Sequence, residues 1–455
     1  MDSSTVRIIS ECFVTPQHVS EESKQPFYLS TWDLVMLSVH YIQKGLLFTK
    51  PAPGDYCEQN LINNVLVRLK RSLSIALVHF YPLAGRFATK IEQKPKSHFV
   101  CVDCNNSPGA KFIHAAVDMS VSDIVSPTYV LLVVQSFFDH DRAINYEGHT
   151  RPLLSIQVTE LIDGVFIGCS MNHAIADGTT FWHFFNTLSE IFQAQGDTNI
   201  KISSSPVLER WFPEGNNGPL LTLPFTHQDE FITRFETPHV LERIFHFSAE
   251  SIAKLKEKAN TESNTTKISS FQSLSAFVWR SITRARRLPC EIVTRCTLAI
   301  NNRSRLEPPL SPYYFGNSFQ TVTAMTTAGE LLEHGLGWAA WKLNQAVVNH
   351  TDKSVRGFVK DWLQSPFVYQ SSPHLYPRSV IIGSSPRFNM YGNEFGLGKA
   401  LTLRSGYGNK FDGKISPYPG REGEGSVDME ICLPPFSMNA LESDEEFMAA
   451  VSAPI

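Results

Sequence analysis

The sequence lacks the common catalytic signatures. It has no G-x-S-x-G nucleophile elbow, no H-E-x-x-H, no P-loop and no G-x-G-x-x-G. Gly396-Leu-Gly398-Lys399 is rich in glycine but has the wrong spacing for a P-loop, and it reads as a turn. No apolar run approaches the roughly 20 residues that span a bilayer. The opening MDSSTVRIISECFV lacks the basic-then-apolar layout of a secretory signal, so a cytoplasmic protein is expected. There is no basic half or stripe, and the net charge is −4. That excludes nucleic acid as the main partner, because such proteins concentrate cations on one face. The eight cysteines are few and scattered, which fits reduced thiols. Cys101 and Cys104 form a lone C-x-x-C without a second pair or a histidine at ligand spacing, so no metal is expected.

What the chain does contain is enough apolar residue for a packed core, 42% against 18% charged. At 455 residues it is long enough for two or three domains. Phenylalanine is abundant, at 31 residues, which suits both core filling and an apolar pocket. Helical spacing runs through Leu61, Val65, Leu69, Leu73 and Leu77 and stops before Pro82. Leu153–Leu161 and Val165–Met171 read as two strands joined at Asp163-Gly164. After Gly178 the period becomes helical, with Phe181, Phe184, Phe185, Leu188 and Phe192 on one face and Thr179 or Thr180 as cap.

Periodicity then fails over 196–225, the candidate linker. The reading is therefore an N-terminal domain over 1–195 and a C-terminal domain over 226–455. Strands and helices mix without strict alternation in both, which predicts an α/β fold of mixed sheets with flanking helices. Val165-Phe-Ile-Gly-Cys-Ser170 echoes Val380-Ile-Ile-Gly-Ser-Ser385, which marks either matching strands in two related halves or no more than similar strand composition.

The sharpest chemical feature is Ser170-Met-Asn-His173-Ala-Ile-Ala-Asp177-Gly178. A histidine follows a strand, an aspartate lies four residues on, and a glycine sits where the chain turns into a helix. Imidazole titrates near about pH 6.5, so it can accept a proton at neutral pH. Gly178 lets the backbone turn or a ligand approach. A second H-x-x-x-D, His114 to Asp118, lies in a run without turn signals. Asp177 has two readings: it orients His173, as the acid of a triad does, or it pairs with an arginine and holds the loop. Spacing alone does not decide between them.

Several segments in order now resemble the plant BAHD acyltransferase family. SMNHAIADGTTFWHFFNTLSEIF is similar to its H-x-x-x-D-G segment. Glu394-Phe395-Gly396-Leu397-Gly398 is similar to its D-F-G-W-G signature, with glutamate for aspartate and leucine for tryptophan. YIQKGLLF, YPLAGR, SSFQSLSAFVWRSITRARR, NNRSRLEPPLSPYYFGN and RSGYGNKFDGKISPYPGREG extend the likeness over nearly the whole chain.

The resemblance implies two chloramphenicol-acetyltransferase-like domains with a channel between them. It implies acyl-CoA as co-substrate with no tightly bound cofactor, a small-molecule acceptor, and a monomer. It makes His173 the general base toward a hydroxyl or amine. It makes Asp177 structural, together with Gly178, Gly396 and Gly398. It pairs the acid of the second signature with an arginine, here Glu394 with Arg303 or Arg305. It points to coenzyme A contacts from Ser269, Ser270 and Ser273 at a helix start, with Arg280 or Arg284 on the phosphates. Lys410 and Lys414 are further candidates. A lyase or a non-catalytic binding protein on the same scaffold is the alternative, and the intact His173 counts against the lyase.

Overall fold

The computed structural model describes residues 5–51, 58–93, 96–194, 201–212, 221–225, 227–234, 239–370 and 378–452. Two six-stranded mixed sheets form its frame. The first runs in the order Arg7–Val14, Ala110–Ala116, Leu154–Glu160, Gly164–Met171, Ile42–Thr49 and Thr402–Ser405. The second runs Leu241–Phe247, Val427–Leu433, Lys414–Pro419, Ser379–Ile382, Val293–Asn301 and Phe319–Thr327. A small sheet built on Arg86–Gln93 and Lys96–Asp103 flanks the first half.

Each large sheet has its own core. Helices Glu58–His79 and Gly178–Gln193 contribute Leu69, Leu73, Phe184 and Leu188 to the first, beside Ile156 and Ile167 from the strands. Helices Ala249–Glu262, Ser270–Ala285 and Leu336–Val348 contribute Ile252, Leu274, Trp279 and Leu343 to the second. The spacing read between 61 and 77 therefore marks a helix that is real and buried on one stripe.

The sheets do not divide where the composition does. Thr402–Ser405 comes from the C-terminal half but pairs antiparallel with Ile42–Thr49, joining Thr402 to Leu47 and Ser405 to Lys44. Met390, Phe395, Leu397 and Ala400 precede it into the first core. A cut at residue 226 thus leaves one strand on the wrong side. Within the proposed linker, 196–200 and 213–220 lie outside the described residues. The rest is pinned: Val207 bridges to Tyr314, and Thr222–Leu223 pairs with Lys96–Asp103. The echo between residues 165–170 and 380–385 does not mark equivalent strands. Gly164–Met171 is antiparallel to both neighbours, whereas Ser379–Ile382 is parallel to both.

Candidate active site

His173 lies two residues beyond the strand Gly164–Met171, in the turn before the helix Gly178–Gln193. Asp177 is that helix's N-cap, accepting from the Thr180 backbone N–H at 2.9 Å. The cap expected at Thr179 or Thr180 is displaced because Asp177 has the extended backbone a cap needs and a short acceptor side chain.

The backbone of His173 is held from both sides. Its N–H donates to Asn145 Oδ1 at 2.7 Å, and its carbonyl accepts from Asn317 Nδ2 at 2.8 Å. Asn317 is anchored in turn, because its backbone N–H and its amide both donate to Asp33 Oδ1 at 2.9 Å. Asp33 is fully buried and also bonded to Arg210. Asn145, Asn317 and Asp33 carry no sequence signal toward His173, since they lie 28, 144 and 140 positions away and only the fold collects them. Asn317 ends the stretch NNRSRLEPPLSPYYFGN, which was the available clue.

Asp177 turns away from the imidazole. Arg303 donates to both of its oxygens, Nη1 to Oδ2 at 2.6 Å and Nη2 to Oδ1 at 3.1 Å. The Ser318 N–H adds a bond to Oδ2 at 3.0 Å. Burial alone works to raise this carboxyl, but the Arg303 charge and the hydrogen bonds prevail and hold it below the usual carboxylate range. The same arginine reaches the carbonyls of Tyr314 and Gly316 at 3.0 Å. Gly316 has φ +128°, and a Cβ there would lie 2.5 Å from Arg210 Nη1, so only glycine fits. Asp177 and Arg303 thus latch the His173 turn of the first half to residues 314–318 of the second.

The imidazole sits at that seam, half-buried, with its ring 5.8 Å from the Phe319 ring. Nδ1 is shut off from solvent, with the residue's own carbonyl and Asn317 as polar neighbours. Nε2 has no hydrogen-bond partner among the described residues. Burial pushes the group below its ordinary 6.5, and the charge of Lys414 acts the same way. The carbonyl, Asp177 and Asn317 oppose the shift without cancelling it. The ring is therefore neutral at pH 7, with a free lone pair: a base rather than an acid.

The transferase family profile matches residues 4–448. An uncharacterized acetyltransferase of Arabidopsis thaliana is 36% identical, covering 97% of this chain and 98% of its own. The BAHD acyltransferase DCR of the same plant is 34% identical, covering 97% and 92%. The chain belongs to the BAHD acyltransferases. Among solved structures, vinorine synthase superimposes with TM-score 0.74 at 22% identity, covering 99% of each chain. Fusarium sporotrichioides TRI101, complexed with coenzyme A and T-2, gives 0.68 at 17%, covering 93% of this chain and 98% of its own. Both confirm the expected two-domain acyltransferase fold.

In this acyltransferase the second signature behaves differently from expectation. Glu394 is exposed and makes no ion pair with Arg303 or Arg305 among the described residues. Arg303 is engaged by Asp177, and Arg305 donates to the carbonyls of Val347 and His350. What the segment inserts is Phe395, fully buried against Phe48, Phe185 and Phe192 with centroids at 6.3, 5.3 and 5.7 Å. Three residues of positive φ, Phe395, Gly396 and Gly398, drive it there and set the course into Thr402–Ser405. Leu397 is also buried, taking the place of the family's indole. Glu394→Gln is accordingly expected to change unfolding free energy by less than about 0.5 kcal/mol, read by urea denaturation.

The expected coenzyme A contacts separate into two groups. Ser269 caps the helix Ser270–Ala285, accepting from Gln272 N–H at 3.2 Å, and buried Ser273 donates to the Ser269 carbonyl at 3.0 Å. Ser270 instead lines an open cleft of about 500 Å³ with Lys256, Asn260 and Thr266. Arg280 is engaged by the carbonyls of Leu331 and His334, and Arg284 by Asp444 at 2.6 Å and Glu446 at 2.9 Å. Neither arginine is held ready for a phosphate in this state. His114, the other H-x-x-x-D histidine, sits in a strand with Nε2 2.5 Å from Glu160. Cys101 and Cys104 donate to the carbonyls of Ala88 and Tyr81.

Proposed function

We propose that His173 is the general base in transfer of an acyl group from acyl-CoA to a hydroxyl or amine of a small plant metabolite. Nε2 removes the acceptor's proton as its oxygen or nitrogen attacks the thioester carbonyl. The tetrahedral oxyanion then collapses, the C–S bond breaks, and the thiolate leaves with the proton returned by the imidazolium. The observation that carries this reading is a neutral, half-buried imidazole, fixed by Asn145 and Asn317, with Nε2 unengaged at the seam between the halves.

The cleft beside Ser270 and Lys256 supports placing the cofactor's phosphates at the start of Ser270–Ala285, where free backbone N–H groups and a lysine favour anions. TRI101, of the same fold, is complexed with coenzyme A. In this reading the enzyme works as a cytoplasmic monomer, since both sides of the seam come from one chain. Among the described residues no helix is long and apolar enough to cross a membrane.

The test is thiol release from acetyl-, malonyl-, benzoyl- and hydroxycinnamoyl-CoA, with and without candidate alcohols and amines. Release that requires an acceptor supports the transferase. Cleavage of a metabolite without coenzyme A, or binding with no turnover, contradicts it.

A further inference from the structure

The seam between the sheets holds more positive charge than its acids neutralise. Side chains alternate across a sheet, so strand register fixes which residues share a face. Glu242 pairs with Cys432, and the neighbouring pair Ile415–Ile431 places Lys414 opposite Cys432, so the three form one row. Ile381 pairs with Lys414 and also with Thr297, continuing that row. Asn301, on the same face as Thr297, pairs with Phe319, whose ring lies against His173. Lys414 and the catalytic imidazole therefore look onto one face of one sheet.

Three lysines meet there: Lys44, Lys410 and Lys414. Among the described residues, two carboxylates, Glu242 and Glu430, lie among them. Lys410 is bonded to Glu242, and Ser405 donates to both oxygens of Glu430 at 2.7 Å. Lys44 donates to the Tyr418 hydroxyl at 2.5 Å. Asp428, the next acid, is held by His246 at 2.7 Å.

Lys414 alone of these has no hydrogen bond or ion pair from its ammonium among the described residues. The residue is half-buried, and its ammonium lies 2.3 Å from where a Cβ on Gly383 would stand, so Gly383 makes its room. Burial first, and the Lys44 charge second, push Lys414 down to about 8. An anion docked against it would favour the charged form and oppose both effects.

We propose that Lys414, with Lys44 behind it, binds a carboxylate carried by the acyl group or by the acceptor. This rests on the transferase reading above. The cofactor's own phosphates are a poorer fit, because the pantetheine arm separates them from the thioester that must reach His173.

Binding is measured calorimetrically to His173→Ala protein, which does not depend on turnover. The donor pair is malonyl-CoA against acetyl-CoA. The acceptor pair is 4-(hydroxymethyl)benzoate against its methyl ester. One carboxylate is expected to bind about tenfold more tightly than its neutral partner, as one charge-assisted hydrogen bond would give. The pair that shows the gap identifies which substrate carries the acid. The ratio should collapse toward one in Lys414→Met and recover in Lys414→Arg. Equal binding within both pairs overturns the proposal, as does a Lys414→Met protein that weakens acetyl-CoA and free coenzyme A as much as the carboxylates. Carboxylate discrimination without acceptor-dependent thiol release from the wild type leaves the anion site standing and fails the transferase reading instead.

Discussion

His173→Ala should lower acceptor-dependent thiol release by about 10² to 10⁴, the usual contribution of a positioned base. The loss should fall on kcat, because in the proposed mechanism the imidazole takes its proton as the transition state forms. Folding should survive. The bonds that fix this turn run through the backbone N–H and carbonyl of residue 173, to Asn145 and Asn317, and an alanine keeps both. Near-native circular dichroism and thermal stability, beside the lost rate, would separate chemistry from collapse. His173→Gln, which cannot take up a proton at neutral pH, should be as impaired as the alanine.

Arg303→Met should destabilise the protein by about 3–5 kcal/mol, the cost of leaving a buried carboxylate without its partner. Asp177 and Arg303 are 5% and 3% exposed at their side chains, so water does not replace the lost charge. The arginine also satisfies the carbonyls of Tyr314 and Gly316. Its loss loosens the segment carrying Asn317, and with it the grip on the His173 carbonyl. Chemical denaturation should show the fall, and residual activity at low temperature should show a reduced kcat. An effect below about 1 kcal/mol would mean the pair is as weak as an exposed salt bridge.

The site was legible where local chemistry is strong. The apolar strand before His173, the glycine after Asp177 and the aromatic face from Phe181 to Phe192 all mark their elements, and the structure places each there. The helix Glu58–His79 was similarly readable from spacing. Strands Arg86–Gln93, Lys96–Asp103, Ala110–Ala116, Phe319–Thr327 and Lys414–Pro419 went unread. Phe319–Thr327 and Lys414–Pro419 carry polar residues on the face that meets the seam, which breaks the apolar pattern a strand is recognised by. Pairings between distant residues were out of reach: Asp177 with Arg303, Asn317 with Asp33, Thr402–Ser405 with the first sheet. The expected partnership of Glu394 with Arg303 or Arg305 failed for the same reason. A charge pattern names an acid and an arginine but not which acid lies nearer, and Asp177 lies inside while Glu394 faces water.

The most direct measurement titrates the His173 imidazole by ¹⁵N NMR in the free enzyme and compares it with the acid limb of kcat/KM. A folded value below the ordinary 6.5 keeps the ring neutral and competent down to that lower pH, so the limb should have its midpoint below 6.5 and coincide with the titration. It should vanish in His173→Gln. A limb with a different midpoint, or one that persists without the imidazole, would show that some other group accepts the proton.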